Sequence, residues 1–512
     1  MPASFLHGIE VIEVPNGPVP VTVVKSAVIG LVGTAPEWAV ASQPGIPAPN
    51  QPTLVSSAID AAKFGPLTRG YTIPYALAAI QGQGAGQVIV VNVFDPAVHF
   101  TSIGATAFTF NTQGVINLGH MGVSNVVVTS SPAGTTYSEG TDYTVDAING
   151  IIKMVASESG GSIAPGATVL VSFRYADPSK VTDSDVIGSV TGGVYSGLQA
   201  LQTTYGTLGF FAKILIAPRF SQSADVATPM STLADKIRAM ALIDSPASTS
   251  VAAAIANRND SQNAFGSSSK RAMLCFPQET FFDAGIVPTG VTLDSSGAPV
   301  IAKLNANAVG PYSQWVAGGM AARDLAKGYW WSPSNTPVAG ILGPDIQLYA
   351  SILDPASDVN SLNAAGIVTV FNAFATGLRV WGNRSAAYPS AAAADNFISV
   401  RRTMDVIEES VELAMLEFID QPISNALIDA ILASVNAFIR SLIQRGALAA
   451  GAASFDPAEN PPAQIAAGQL TFDIDVMPPP PAERITFKAF IDVTLLEHLG
   501  QTSPITVDAG VL

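Results

Sequence analysis

The sequence predicts an α/β core, interrupted by an all-β domain of sandwich type and followed by an α+β C-terminal domain, with an edge-type strand near each end of the chain. Three observations carry this reading. Continuous apolar runs alternate with helix-like segments through most of the chain. Short β-rich runs punctuated by Gly and Ser break that alternation at residues 96–185. Two amphipathic helices then precede two alternating strands in the last third.

Residues 1–25 read as an arm. Gly8-Ile-Glu-Val-Ile-Glu-Val-Pro15 is extended and Asn16-Gly17-Pro18 is a turn signal. Val19, Val21 and Val23 alternate with Pro20 and Thr22, which is the period of a strand. Pro20 has no N–H to give to a ladder, so this strand belongs at an edge or on another sheet.

From Lys25 the apolar residues run continuously, in Ala27 to Gly33, Val88 to Val91, Ala212 to Ile216, Met240 to Ile243 and Ala272 to Phe276. Such runs suit strands buried on both faces. Helix-like stretches from Ser223 to Arg238 and from Ser248 to Asn257 lie between them, an alternation that builds a largely parallel sheet. The core is assigned residues 26–95 and 186–360.

The interruption at 96–185 carries strand-like runs at Ala107–Phe110, Val126–Val128, Tyr143–Val145, Ile151–Met154 and Val169–Phe173. Asn149-Gly150 between two of them is a strong hairpin signal. An inserted domain is tolerated because domain termini usually lie close together.

Residues 361–483 form the α+β part. Val400, Met404, Ile407, Val411, Met415 and Phe418 step by three and four along one helix, with Arg401, Arg402, Asp405, Glu408, Glu409 and Glu412 on its other face. A second helix runs from about Ser424 to Arg445, and Arg445-Gly446 is its stop signal. Leu470, Phe472, Ile474 and Val476 then alternate as a strand. Beyond Pro478 to Pro481 the tail arm, residues 484–512, alternates Ile485, Phe487, Ala489, Ile491, Val493 and Leu495 with polar residues, Phe490 excepted. A proline spacer ahead of a clean strand holds that strand away from its own body.

Composition narrows the class. Of 512 residues 48% are hydrophobic and only 12% are charged, against roughly 25% in an ordinary soluble protein. A surface so poor in charge is covered either by lipid or by other subunits. A spanning helix needs about 20 consecutive apolar residues, and runs such as Ala27 to Val32 are far shorter, which leaves self-assembly without membrane insertion. Met1-Pro-Ala-Ser-Phe-Leu-His has no basic segment of a secretory signal. The net charge of −15 argues against a nucleic-acid partner. Cys275 is the single cysteine, so no internal disulfide or multi-cysteine zinc site exists, and its apolar surroundings mark it as a buried thiol.

No catalytic constellation is visible. The four histidines, His7, His99, His120 and His498, all lie outside the α/β core, so the core has no base for a Ser-His-Asp triad and no cluster that would hold a metal. Gly82-Gln-Gly-Ala-Gly86 precedes a strand, whereas a dinucleotide loop follows one, so it reads as a helix-to-strand turn. Asp244, at a strand end, reads as a cap for the next turn, and Tyr329-Trp330-Trp331 as core or interface packing. An α/β hydrolase is the competing reading; it lacks its base. No catalytic, cofactor or metal residue is assigned.

Several segments carry a family resemblance. Phe5-Leu-His-Gly-Ile-Glu-Val-Ile-Glu-Val-Pro-Asn-Gly-Pro18, Lys25-Ser-Ala-Val-Ile-Gly-Leu-Val-Gly-Thr-Ala-Pro36, Lys327-Gly-Tyr-Trp-Trp-Ser-Pro-Ser-Asn335, Leu362-Asn-Ala-Ala-Gly-Ile-Val368, Gly377-Leu-Arg-Val-Trp-Gly382 and Phe397-Ile-Ser-Val-Arg-Arg-Thr403 resemble, in order and spacing, the contractile tail sheath family of myophages and bacteriocin-type particles. Gly140-Thr-Asp-Tyr-Thr-Val-Asp146 is similar to a β-module of other phage structural proteins. The resemblance implies a subtilisin-like core without a triad, and hexameric rings stacked around a tail tube in a helical homo-oligomer. It also implies contraction that drives genome ejection, with baseplate and tail-terminator proteins at the ends. The particle would be assembled in the host cytoplasm into a virion tail. Val19, Val21, Val23, Ile485, Phe487, Ala489, Ile491 and Val493 would then be the strand-exchange residues that link subunits.

Overall fold

A computed structural model describes residues 20–372, 376–391 and 393–498. Its centre is an eight-stranded sheet of β1 (Val28–Gly33), β2 (Thr53–Val55), β3 (Gln87–Asn92), β4 (Ile214–Ile216), β5 (Met240–Asp244), β6 (Ala272–Cys275), β7 (Ile367–Asn372) and β8 (Leu378–Trp381). The spatial order is β2-β3-β1-β4-β5-β6-β7-β8. The six central strands are parallel, and β2 and β8 close the two edges antiparallel. Every residue of β1, β4, β5 and β6 is buried. That is why these segments read as unbroken apolar runs: a parallel sheet is covered on both faces by its crossover helices.

Alternation across the sheet sorts the side chains into two cores. Ile29, Leu31, Ile214, Ile216 and Leu242 meet helices α1 (Ile73–Gly82) and α3 (Ser313–Lys327) on one face. Val28, Val32, Leu215, Ala241 and Ile243 meet α2 (Ala224–Ile237) on the other. The glycines around Gly84 join α1 to β3, and Gly84 turns there at φ 80. Cys275 is fully buried in β6.

The core reaches further along the chain than the boundary at 361 expected from sequence. β7 pairs parallel with β6, and β8 returns beside β7. Burial explains the placement: five of six β7 residues are buried, which only a strand inside a covered sheet achieves. Asp244 also differs from its expected role. It caps no neighbouring turn; its carboxylate accepts from the Ser313 N–H at 2.8 Å, the Ser313 hydroxyl at 2.6 Å and the Ser221 hydroxyl at 3.1 Å. It thus fastens the start of α3, 69 residues on, to the end of β5. Burial drives this carboxyl up to about 6, against the hydrogen bonds from Ser313 and Ser221.

Residues 100–176 build two three-stranded antiparallel sheets, which share a core of Phe110, Ile116, Val128, Ile152, Val169, Val171 and Phe173. Phe100 and Ala176 are cross-strand partners, so the module leaves and re-enters the chain at one point. It leans on a ribbon absent from the sequence reading, Ile286–Leu293 paired with Pro299–Lys303. The Asn117 amide donates to the Val291 carbonyl at 2.5 Å, and the Met121 N–H to the Pro288 carbonyl at 2.9 Å.

Candidate assembly site

The C-terminal part is built from two helices and a two-stranded sheet. Helix α4 (Ile398–Met415) and helix α5 (Asn425–Gln444) bury Ile407, Val411, Leu427, Ile431, Val435, Phe438 and Leu442 against each other. By length and composition α5 is apolar enough to cross a bilayer, which the sequence reading overlooked; here its apolar side chains fill this core. Ser424 caps its start by accepting from the Leu427 N–H at 3.2 Å.

The strands Ala450–Ser454 and Asp473–Met477 pair antiparallel. The first was invisible in sequence, since Ala-Gly-Ala-Ala-Ser has neither β-branched residues nor alternation. Helix α5 holds it in place: the Asn436 amide donates to the Ala453 carbonyl at 2.9 Å and accepts from the Ala453 N–H at 2.8 Å. That contact covers the outer edge of Ala450–Ser454. Because main-chain groups alternate in direction along an antiparallel pair, Ile474 and Val476 point theirs away from Ala450–Ser454. The outer edge of Asp473–Met477 therefore carries no ladder among the described residues. A two-stranded sheet is marginal alone, and an edge without a ladder leaves N–H and C=O groups unpaired.

The two arms differ in this chain. Val19 lies outside the described residues. Residues 20–23 pair with no strand of their own chain; the Val19–Val23 strand expected from sequence is one that adds to another subunit. Val21 and Val23 are instead half-buried against the C-terminal core, and the Val24 N–H donates to the Ser410 hydroxyl at 3.1 Å. Pro20, without a donor, and side-chain packing on α4 explain why no ladder forms.

The tail is anchored and then released. The Arg384 guanidinium grips Glu483 in a fork at 2.5 and 3.1 Å, and lies 3.6 Å from the Phe397 ring centre. Past that anchor Ile485 is 70%, Phe487 89% and Ile491 99% exposed. No helix or strand covers residues 485–492. The expected strand also ends earlier than Leu495. Asp492 accepts from the Thr494 N–H at 2.9 Å and its hydroxyl at 2.6 Å, and Val493 opens a short 3-10 turn to His498. Ala489 lies in the exposed segment and Val493 in the turn.

The charged face of α4 is where sequence reasoning stopped short. It docks on the sheet core. Lys213, beside β4, pairs with Glu409 and donates to the Ile237 carbonyl at 2.8 Å. Arg271 holds Asp405 at 2.5 Å, Arg238 holds Glu412 at 2.6 Å, and Arg402 holds Asp324 of α3 at 2.5 and 2.9 Å. Desolvation lowers the Lys213 ammonium, and Glu409 opposes that shift. Trp330 also packs into the C-terminal core, while Trp331 stays 46% exposed.

Family comparison decides what this arrangement belongs to. The phage tail sheath protein central domain matches residues 193–386, and the phage tail sheath C-terminal domain matches 392–492. A family described as a protein of unknown function matches 99–183. The tail sheath protein of Burkholderia phage BcepMu is 44% identical over 495 residues, 96% of this chain and 98% of that protein. The chain belongs to the phage tail sheath family. A putative prophage major tail sheath protein of Pseudomonas aeruginosa (strain UCBPP-PA14) is 31% identical over 65% of this chain and 78% of its own length. The fold is that of solved sheaths. The anti-feeding prophage helical sheath in its contracted state aligns at a TM-score of 0.55 with 16% identity, over 96% of this chain and 100% of that one. The sheath complex of the PVC extracellular contractile injection system, also contracted, aligns at 0.53 with 14% identity, over 97% and 100%.

Sheath proteins are structural, and this one is no enzyme. His99 is buried, its Nδ1 accepting from the Asp95 N–H at 3.0 Å and its Nε2 3.5 Å from Asp185. His120 stacks on Tyr175 with ring centres 3.9 Å apart. Both are packing residues. His7 lies outside the described residues.

Proposed function

We propose that this sheath subunit polymerises as stacked hexameric rings around a tail tube, with baseplate and tail-terminator proteins at the ends of the array. Contraction drives the tube through the host envelope. The particle assembles in the host cytoplasm and works as the virion tail. One observation carries the reading: a single chain holds both an open sheet edge at Asp473–Met477 and an exposed, unpaired, alternating tail at Ile485–Asp492. The tail is anchored by Arg384 at Glu483, just before its exposed stretch, and Val21 and Val23 pack on the C-terminal core from the arm side. The core is taken as a subtilisin-like scaffold without a triad; Asp244, its buried strand-end acid, is bonded to two serines and to no histidine.

Energy for contraction comes from a kinetically trapped assembly and not from ATP. The purified full-length protein is expected to form regular hollow tubes by negative-stain electron microscopy. It is also expected to shorten identically with and without ATP, and to remain unlabelled by a fluorophosphonate probe. Soluble monomers at every concentration, or labelling of a core serine, would overturn this reading.

The module at 96–185 is taken as an outward-facing domain dispensable for assembly. Its ends meet at the Phe100–Ala176 pair, so a short Gly/Ser linker can replace 101–175 without stretching the core. Val291, buried beneath the module, is changed to Thr in the same variant to keep the uncovered ribbon soluble. Polymers of ordinary length are expected from it; loss of tubes from a folded variant would place the module inside the assembly contacts.

A further inference from the structure

A cavity of about 260 Å³ opens at the carboxyl ends of β1 and β4. The sheet order reverses there: β3 follows β1 on one side, and β4 lies on the other. In open α/β sheets this crevice is where ligands bind. Thr72, which immediately precedes α1, borders it, as does Gln314 in the first turn of α3.

The chemistry of the lining is specific. Arg69 and Arg219 both face the cavity, and neither takes part in an ion pair among the described residues. Arg219 holds φ 71, a left-handed conformation that side-chain-bearing residues rarely adopt. Gln314 is 2% exposed, lines the cavity, and its amide has no hydrogen-bond partner among the described residues. Asp283 is the one acid in the lining; its Oδ1 is occupied by the Tyr75 hydroxyl at 2.8 Å and the Gly285 N–H at 2.7 Å. Two guanidinium groups against one carboxylate leave the cavity cationic in a chain whose net charge is −15.

We infer that this cavity is a carboxylate-binding socket, filled in the assembled sheath by an Asp or Glu side chain of a second copy of this chain. Two forked donors and one amide donor match the oxygens of a carboxylate. In an array made of an acidic chain, with 39 Asp and Glu against 24 Lys and Arg, a neighbour's carboxylate is the anion closest at hand. The inference rests on the sheath reading above.

The test uses full-length protein, with glutarate as a stand-in for a Glu side chain and sodium chloride at matched ionic strength as control. Glutarate is expected to raise the concentration at which wild-type protein polymerises by about tenfold, well beyond the salt control. Arg69→Gln/Arg219→Gln is expected to raise it by a similar factor of about ten and to abolish the glutarate response, while the unassembled protein melts within about 2 °C of wild type. Arg219→Gln alone is expected to give a smaller shift of the same sign, and it decides the matter if the double variant does not fold. Polymerisation of either variant at the wild-type concentration would overturn the socket. So would glutarate that raises the melting temperature of the unassembled protein yet leaves assembly unchanged, because the cavity would then take a free small carboxylate. A wild-type chain that never polymerises would count against the sheath reading instead.

Discussion

Removing residues 484–512 is expected to leave a folded subunit that no longer forms long tubes. In the isolated chain Ile485, Phe487 and Ile491 are 70%, 89% and 99% exposed, so these side chains add nothing to the core of their own subunit. Each such side chain, buried in a neighbour, contributes about 1.5–3 kcal/mol. Main-chain hydrogen bonds along the Asp473–Met477 edge add to this, and ordering the tail, at about 1–2 kcal/mol per residue, offsets much of it. A net linkage on the order of a few kcal/mol per subunit, repeated at every contact, decides whether an array grows. Circular dichroism of the truncated protein should match wild type, and microscopy should show short rings or monomers. Pro in place of Phe487 or Ile491 should act alike, through loss of a ladder donor. Deleting residues 1–24 should shorten the tubes too, with some loss of stability, since Val21 and Val23 pack on the C-terminal core of their own chain. Tubes of normal length from either truncation would show that the arms are not the connectors.

Asp324→Ala is expected to be the most destabilising single change at the junction between α4 and the sheet core. The Arg402 and Asp324 side chains are 6% and 2% exposed and meet in a fork at 2.5 and 2.9 Å. Removing the acid strands a buried guanidinium, at a cost of about 3–5 kcal/mol. Replacing both, as Arg402→Met with Asp324→Leu, removes the desolvation penalty together with the pair and should recover most of that loss. The apparent melting temperature of unassembled protein reads the difference, with a drop of several degrees or more for the single change. A drop below about 2 °C would mean that the pair does not hold the junction. Tube formation by the double variant would show that the pair serves stability and not assembly.

What the chain declares locally could be read without coordinates. β1, β4, β5 and β6 announce themselves because a strand covered on both faces must be apolar at every position. Asn149-Gly150 marks its hairpin because Gly150 turns at φ 66. The two C-terminal helices show in their 3.6 period. The tail's alternation was legible too, and the described part of that segment, from Ile485 to Asp492, pairs with no strand of its own chain.

Other features depend on partners remote in sequence, and no window of residues contains them. β7 is a core strand because β6, nearly a hundred residues earlier, offers it a parallel edge. The alternation of charges and apolar residues on α4 fits a solvated helix and a docked one equally; Lys213, Arg238, Arg271 and Asp324 decide which, by supplying counter-charges from four other places in the core. Ala450–Ser454 has no strand propensity of its own and is held by Asn436 and the Asp473–Met477 ladder. The sequence alone thus determined the buried core strands, the two long C-terminal helices and the structural class, since these follow from local periodicity and composition. Only the tertiary structure decided where the sheet ends, which charges are buried and which edge stays open, because each of those is settled by the long-range pairing of hydrogen-bonding and charged groups.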